Sequence, residues 1–296
     1  MNRFQITHTT LYTYSAPVQL GIHSLRLRPR EGHDLRIEAS SLTIQPQATL
    51  RWHRDVENNS VATATFSEAA SQLLIKSNLD IQQYDQNPFA FLVEDYALVY
   101  PFSYASEDLP LLNAYRHCGR VSPDPLLTQW LGGIWRPGAT VESVLLLQRL
   151  NQAIHSFALY QQREEPGVQS AAETLTRASG SCRDLAFLFM EAAKVLGFAA
   201  RFVSGYCFNS SPDESGGSTH AWAEAFIPGA GWKGFDPTGG VIVGDNHIPL
   251  AVGRTPQSVP PVAGSFSGQA QLLAMEVAVD VAVDVVVGKE ALLDQG

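Results

Sequence analysis

Residues 219–227, Thr-His-Ala-Trp-Ala-Glu-Ala-Phe-Ile, alternate small and large side chains. A period of two is the signature of a strand. It places His220, Trp222, Glu224 and Phe226 on one face and Ala221, Ala223 and Ala225 on the other. A face made of alanines lets another element come very close, which suits a packed helix. Gly229-Ala230-Gly231 then reads as a turn, and 232–236 as a return strand stopped by Pro237. An antiparallel hairpin with a helix on its alanine face confines this part of the chain to an α+β arrangement.

The helix that could fill that role begins near residue 180. Ser181 is followed three residues later by Asp184, a capping-box pattern, with Gly180 allowing a sharp turn before it. Cys182 then falls in the first helical position. Backbone N–H groups there lack intrahelical acceptors, and the helix dipole adds positive potential. Both favour the thiolate, the nucleophilic form of cysteine. The neighbouring Asp184 opposes that effect, and Arg183 offers a compensating charge. Leu185, Ala186, Phe189, Ala193 and Leu196 form an apolar stripe, with only Glu191 and Lys194 opposite, and Gly197 is the expected C-cap. The pattern predicts a buried helix whose N-terminus opens into a cleft.

Residues 1–84 read as several short strands divided by turns: 4–14, 35–37, 41–44, 61–66 and 73–75. This suggests a β-sandwich or small barrel. His8, His23, His33 and His53 are expected to be surface or strand residues without a catalytic role. Prolines and aromatics dominate 85–138, a connector with sparse helix. Thr140 is the expected N-cap of a helix reaching about residue 160, with His155 partly exposed on it. Ser170 and Glu173 form a second capping box, for a short helix ending at Gly180. Residues 200–206 read as a strand, 209–218 as a loop, 244–268 as a Pro/Gly-rich loop, and the alternating valines from 277 to 285 as one long strand.

A formal net charge of −9 argues against nucleic acid or an anionic membrane as a partner. The run 275–287 is broken by Glu276, Asp280 and Asp284, and no stretch reads as a membrane span or an export signal. The three cysteines, Cys118, Cys182 and Cys207, make no disulfide framework, and the eight histidines show no zinc-type spacing. The expectation is a cytoplasmic protein with a free thiol, no metal and no cofactor. No feature of the sequence sets an oligomeric state.

The informative signal is an order: a helix-start cysteine, a strand histidine 38 positions on, and an aspartate in the paired strand 16 further. A thiolate attacks a carbonyl, an imidazole takes and returns the proton, and a carboxylate fixes the imidazole tautomer and stabilises its charged form. Four blocks carry a resemblance: Gly180-Ser181-Cys182-Arg183-Asp184, Ala200-Arg201-Phe202-Val203-Ser204-Gly205-Tyr206, Thr219-His220-Ala221-Trp222-Ala223-Glu224 and Gly231-Trp232-Lys233-Gly234-Phe235-Asp236-Pro237-Thr238. In this order they resemble the bacterial transglutaminase-like superfamily, strongly over 140–250. Tyr12-Thr13-Tyr14-Ser15-Ala16-Pro17-Val18 and Leu25-Arg26-Leu27-Arg28-Pro29 are similar to its N-terminal β domain, and 247–266 to its C-terminal segment. Ser181 departs slightly, since many members carry glycine or another small residue there.

The resemblance implies a papain-like α+β core with Cys182 as nucleophile, His220 as base and Asp236 as orienter. The expected activity is cysteine-dependent acyl transfer, with hydrolysis of a peptide or isopeptide-type amide placed first. Amine transfer onto a glutamine carboxamide uses the same thioester and is the alternative. A non-catalytic binding or scaffold protein is the alternative of another class. The partner is then a peptide or protein amide, and Trp222 and Trp232 are candidate substrate-binding residues. The Cys182 backbone N–H is the expected first oxyanion donor. The expected organisation is a β domain (1–84), a connector (85–138), a catalytic core (139–243) and a C-terminal loop and strand (244–296).

Overall fold

Alternation in the first eighty residues builds two antiparallel sheets. The computed structural model describes residues 2–84, 87–117, 124–163, 165–208 and 216–285. They form two units, one of Met1–Asn87, Cys207–Ser218 and Val262–Gly296, the other of Pro88–Tyr206 and Thr219–Pro261. The first unit holds β1 (Asn2–Leu20), β2 (His23–Arg28), β3 (Leu35–Gln45), β4 (Ala48–Arg54), β5 (Ser60–Phe66) and β6 (Ala69–Gln83). One sheet runs in the order Leu272–Val285, β1, β6, β3; the other runs Val262–Ala263, β2, β5, β4. Their inner faces meet on Tyr14, Val18, Leu25, Leu27, Ala62, Ala64, Leu73 and Ile75. This is the antiparallel β-sandwich that the strand pattern implies.

Two details depart from the sequence expectation. The segments 35–37 and 41–44 are one strand, β3, because a bulge between Ile37 and Ala39 lets pairing with β6 continue. His8 and His23 are strand residues as expected, but both are buried, while His33 and His53 are exposed. Burial disfavours the charged imidazole, and it lowers His8 to about 4. His8 Nε2 lies 2.8 Å from Thr10 Oγ1 on the same inward face.

The second unit carries α1 (Leu109–Arg116), α2 (Pro125–Leu131), α3 (Ser143–Phe157), α4 (Ala171–Arg177) and α5 (Cys182–Val195). Helix α3 starts later than Thr140. Val141 and Glu142 are taken instead by pairing with Tyr100 and Val99, and the buried Ser143 donates its hydroxyl to Ala97 O at 2.6 Å. Ser170 caps helix α4, with both halves of the capping box formed. It stops at Arg177, not Gly180, because Ala178 turns left-handed at φ 50°. Ser179–Gly180 then pairs in parallel with Leu159–Tyr160. Of the expected loop 209–218, residues 209–215 lie outside the described residues, and 217–218 already belong to the strand Gly217–Ile227.

The sheet of this unit follows the order Val241–Ile242, Gly231–Asp236, Gly217–Ile227, Ala200–Phe208, His247–Gly253. The hairpin pairs Ala223 with Phe235 and Ile227 with Gly231. Its alanine face does meet a helix: Ala221, Ala223 and Ala225 share one buried cluster with Leu185, Ala186 and Phe189 of α5. Phe189 and Phe235 stack at 5.1 Å. Side chains of this size each stabilise by about 1.5–3 kcal/mol when fully buried, so α5 is fixed in place along its length. Among the described residues no helix is long and apolar enough to cross a membrane.

Candidate active site

The start of α5 is held by a buried carboxylate. Asp184 is wholly buried, and its Oδ2 accepts from the Ser181 N–H and hydroxyl, each at 2.8 Å. Oδ1 accepts from the Gln169 N–H at 2.7 Å, and Arg163 Nη1 lies 2.8 Å from both oxygens. Burial raises the Asp184 pKa, but these hydrogen bonds outweigh it and hold the carboxyl below its ordinary range. The charge on Asp184 is therefore committed to Arg163 and the helix start. Arg183, expected to offset it, instead donates to the carbonyls of Arg163 and Glu165 at 3.2 Å. Gly180 serves close approach rather than an unusual turn: a Cβ there would lie 2.8 Å from Asp184 Cβ.

Cys182 is the first residue of α5 and is half-buried. Its backbone N–H lies in the first turn, where no intrahelical acceptor exists. The imidazole of His220 is hydrogen-bonded to the Cys182 side chain on one side. On the other, its Nε2 lies 2.9 Å from Asp236 Oδ2. That leaves Nδ1 to face the thiol. Burial works against charge on His220, but the Asp236 and Cys182 hydrogen bonds and charges outweigh it and raise the pKa to about 10. Burial likewise opposes charge on Asp236, and hydrogen bonds from His220 and His247 pull its carboxyl well below the usual carboxylate range.

Asp236 uses both oxygens. Oδ1 accepts the Thr238 N–H at 2.9 Å, closing the turn after Pro237. Oδ2 meets His220 and also His247, whose Nε2 lies 3.2 Å away. Helix α3 secures that turn from behind: His155 Nδ1 lies 2.9 Å from Thr238 O, and Asn151 donates to Val241 O at 3.0 Å. Sequence reasoning missed His247 because it falls in a segment read as a Pro/Gly-rich loop, and Arg163 because the stretch between the helix ending near 160 and the cap at Ser170 shows no periodicity to read. The residues after His247, Ile-Pro-Leu-Ala-Val, are a strand-like apolar run that pointed to a buried position.

The two tryptophans are placed differently. Trp222 is wholly buried and stands edge-on to His247, with ring centroids 5.2 Å apart, and 6.3 Å from His220. Gly205 makes room for it, since a Cβ there would collide with Ile248 O and the Trp222 ring. Trp222 thus backs the imidazoles. Trp232 lies four residues before Asp236, roughly 13 Å along the strand. Its ring is engaged by the Arg201 guanidinium at 4.2 Å and by Tyr115 at 5.0 Å, and the structure does not bring it to His220. Cys207 is half-buried, and Cys118 lies outside the described residues.

A helix-start cysteine facing a strand histidine and aspartate on a papain-like α+β core, in a chain that also holds a β-sandwich, defines a class of thiol-centred proteins. Residues 139–237 match the transglutaminase-like superfamily, and residues 4–82 match the bacterial transglutaminase-like N-terminal region. The chain thus carries a transglutaminase-like core behind a bacterial transglutaminase-like N-terminal region. It is 28% identical over 275 residues to an uncharacterized protein of Mycobacterium bovis, covering 89% of this chain and 87% of that one. An uncharacterized protein of Mycobacterium leprae is 33% identical over 108 residues, which spans only 38% of its length and 35% of this chain. The crystal structure of a candidate cysteine protease from Cytophaga hutchinsonii superposes with a TM-score of 0.70 at 20% identity, covering 95% of this chain and 90% of that one. At that identity the likeness speaks for the fold.

Proposed function

We propose that this protein is a cysteine-dependent acyl-transfer enzyme that hydrolyses a peptide or isopeptide-type amide. The observation that carries the reading is His220, hydrogen-bonded at once to Cys182 and to Asp236. The Cys182 sulfur attacks the amide carbonyl, forming a C–S bond and a tetrahedral oxyanion. On this reading the Cys182 backbone N–H, in the first turn of α5 where no intrahelical acceptor exists, donates to that oxyanion. As the intermediate collapses, the C–N bond breaks and His220 gives its proton to the departing amine. Water then adds to the thioester while His220 takes its proton. The C–S bond breaks, the acid leaves and the thiol is restored. Asp236 accepts from His220 Nε2 throughout, which keeps Nδ1 directed at sulfur and stabilises the imidazolium.

The test is activity profiling on a library of peptide and side-chain amides, with and without an added primary amine. Acid released in the absence of amine, lost in Cys182→Ala, supports hydrolysis. Turnover only when amine is present, with the amine incorporated, replaces hydrolysis with amine transfer. No turnover of any amide, together with a Cys182 no more reactive than Cys207, overturns both.

A further inference from the structure

The reaction proposed above uses one imidazole, yet Asp236 holds two. His247 is the first residue of the strand His247–Gly253 and is 2% exposed. Burying an imidazole is unfavourable unless its nitrogens are satisfied. Here Nε2 faces Asp236 Oδ2 at 3.2 Å, and Nδ1 faces the Asn246 side-chain amide at 2.7 Å. Trp222 covers one edge of the ring. An ionised carboxylate only accepts, so His247 Nε2 must carry a proton. Asn246 can present either end of its amide to Nδ1 and so serves a charged or a neutral ring alike.

We infer that His247 is a positioning residue that locks the Asp236 carboxylate for His220, an inference that rests on the function proposed above. The terminal torsion of an aspartate is soft, with broad wells. A carboxylate held only by the imidazole it orients would swing with that imidazole. In this protein Thr238 fixes Oδ1 and His247 fixes Oδ2, so the acceptor for His220 stands in place independently of His220. One oxygen has lone pairs for both rings, and the centroids of the two rings are 6.0 Å apart, so neither displaces the other.

The experiment compares wild type, His247→Leu and His247→Gln. It reads the iodoacetamide labelling rate of Cys182, kcat and KM on an amide substrate, and the thermal melt. His247→Leu should lower kcat and the labelling rate by about tenfold or more, the scale of a hydrogen bond to a charged group, with KM within about twofold. His247→Gln, whose amide can still donate to Oδ2, should recover most of both. Equal kcat and labelling in folded His247→Leu would overturn the inference alone. Wild-type Cys182 that labels no faster than Cys207, with Cys182→Ala fully active, would overturn the proposed function and this inference with it. Should His247→Leu fail to fold, nitrogen-15 shifts of the wild-type histidines decide: a proton on His247 Nε2 supports the inference, and a bare Nε2 overturns it.

Discussion

Replacing Asp184 by alanine should unfold the start of α5, the helix that Cys182 opens, before it touches any chemistry. The carboxylate is fully buried and accepts from two backbone N–H groups, the Ser181 hydroxyl and Arg163, whose side chain is 15% exposed. Alanine leaves the Gln169 and Ser181 N–H groups without this acceptor, at about 1–3 kcal/mol each. It also leaves the Arg163 guanidinium without its buried partner. Breaking such a pair costs about 3–5 kcal/mol, and the freed arginine recovers part of that by reaching water. A net loss of about 4 kcal/mol lowers the melting temperature of a domain this size by roughly 10 °C. Asp184→Asn keeps one acceptor oxygen and should lose about half as much. The sign with pH follows from the lowered Asp184 pKa: its stabilisation is complete above the ordinary carboxylate range and fades as acid protonates the folded form. The gap between wild type and variant should therefore narrow in acid. Calorimetry or circular dichroism melts at pH 7 and at low pH measure both effects. An Asp184→Ala melt within about 2 °C of wild type at pH 7 would refute the reasoning.

Asp236→Asn separates two jobs of one side chain. The amide oxygen can still accept the Thr238 N–H, but the amide nitrogen then faces His220 as a donor and favours the wrong imidazole tautomer. Turnover should fall mainly in kcat, by roughly two to four orders of magnitude, with melts used to confirm that the variant is folded under the assay; a kcat within threefold of wild type would leave Asp236 only its turn. The buried His8 should make the β-sandwich acid-sensitive. Its pKa is lowered to about 4, so the unfolded chain binds the proton first as pH falls below 6.5. Roughly 2–3 kcal/mol should be lost between pH 7 and pH 4.5, and urea midpoints at the two values should show a smaller loss in His8→Gln. The ion pair around His220 predicts selective labelling: Cys182 should react with iodoacetamide much faster than Cys207 at pH 6, and His220→Ala should slow it. Equal rates at the two thiols in folded protein would contradict this.

The parts of this account legible in the sequence are those written in local periodicity. The alternation of 219–227 and the glycine turn after it mark the hairpin, and the apolar stripe behind Cys182 marks the helix that its alanine face receives. Cys182, His220 and Asp236 were readable because each sits at a point where local structure is strongly signalled. What was not readable depends on contacts between distant segments. Thr140 reads as a cap, yet pairing of Val141 and Glu142 with 99–100 moves the helix start to Ser143. Arg163 follows a two-residue strand in a stretch with no periodicity, so its pairing with Asp184 has no sequence signature. His247 lies in a segment whose glycines and prolines mask a seven-residue buried strand. The left-handed Ala178, which ends α4 early, is likewise set by the pairing of Ser179–Gly180 and not by its own side chain.

The central claim is that Cys182 carries the acyl group of an amide substrate. Rapid acid quench of a reacting mixture, followed by intact mass and peptide mapping, tests it most directly. The expected result is an adduct with the mass of the acyl half of the substrate, on Cys182 alone. The adduct should be absent in Cys182→Ala and should accumulate in Asp236→Asn if deacylation slows more than acylation. Full turnover with no adduct on Cys182, or an adduct mapped to another residue, would contradict the claim.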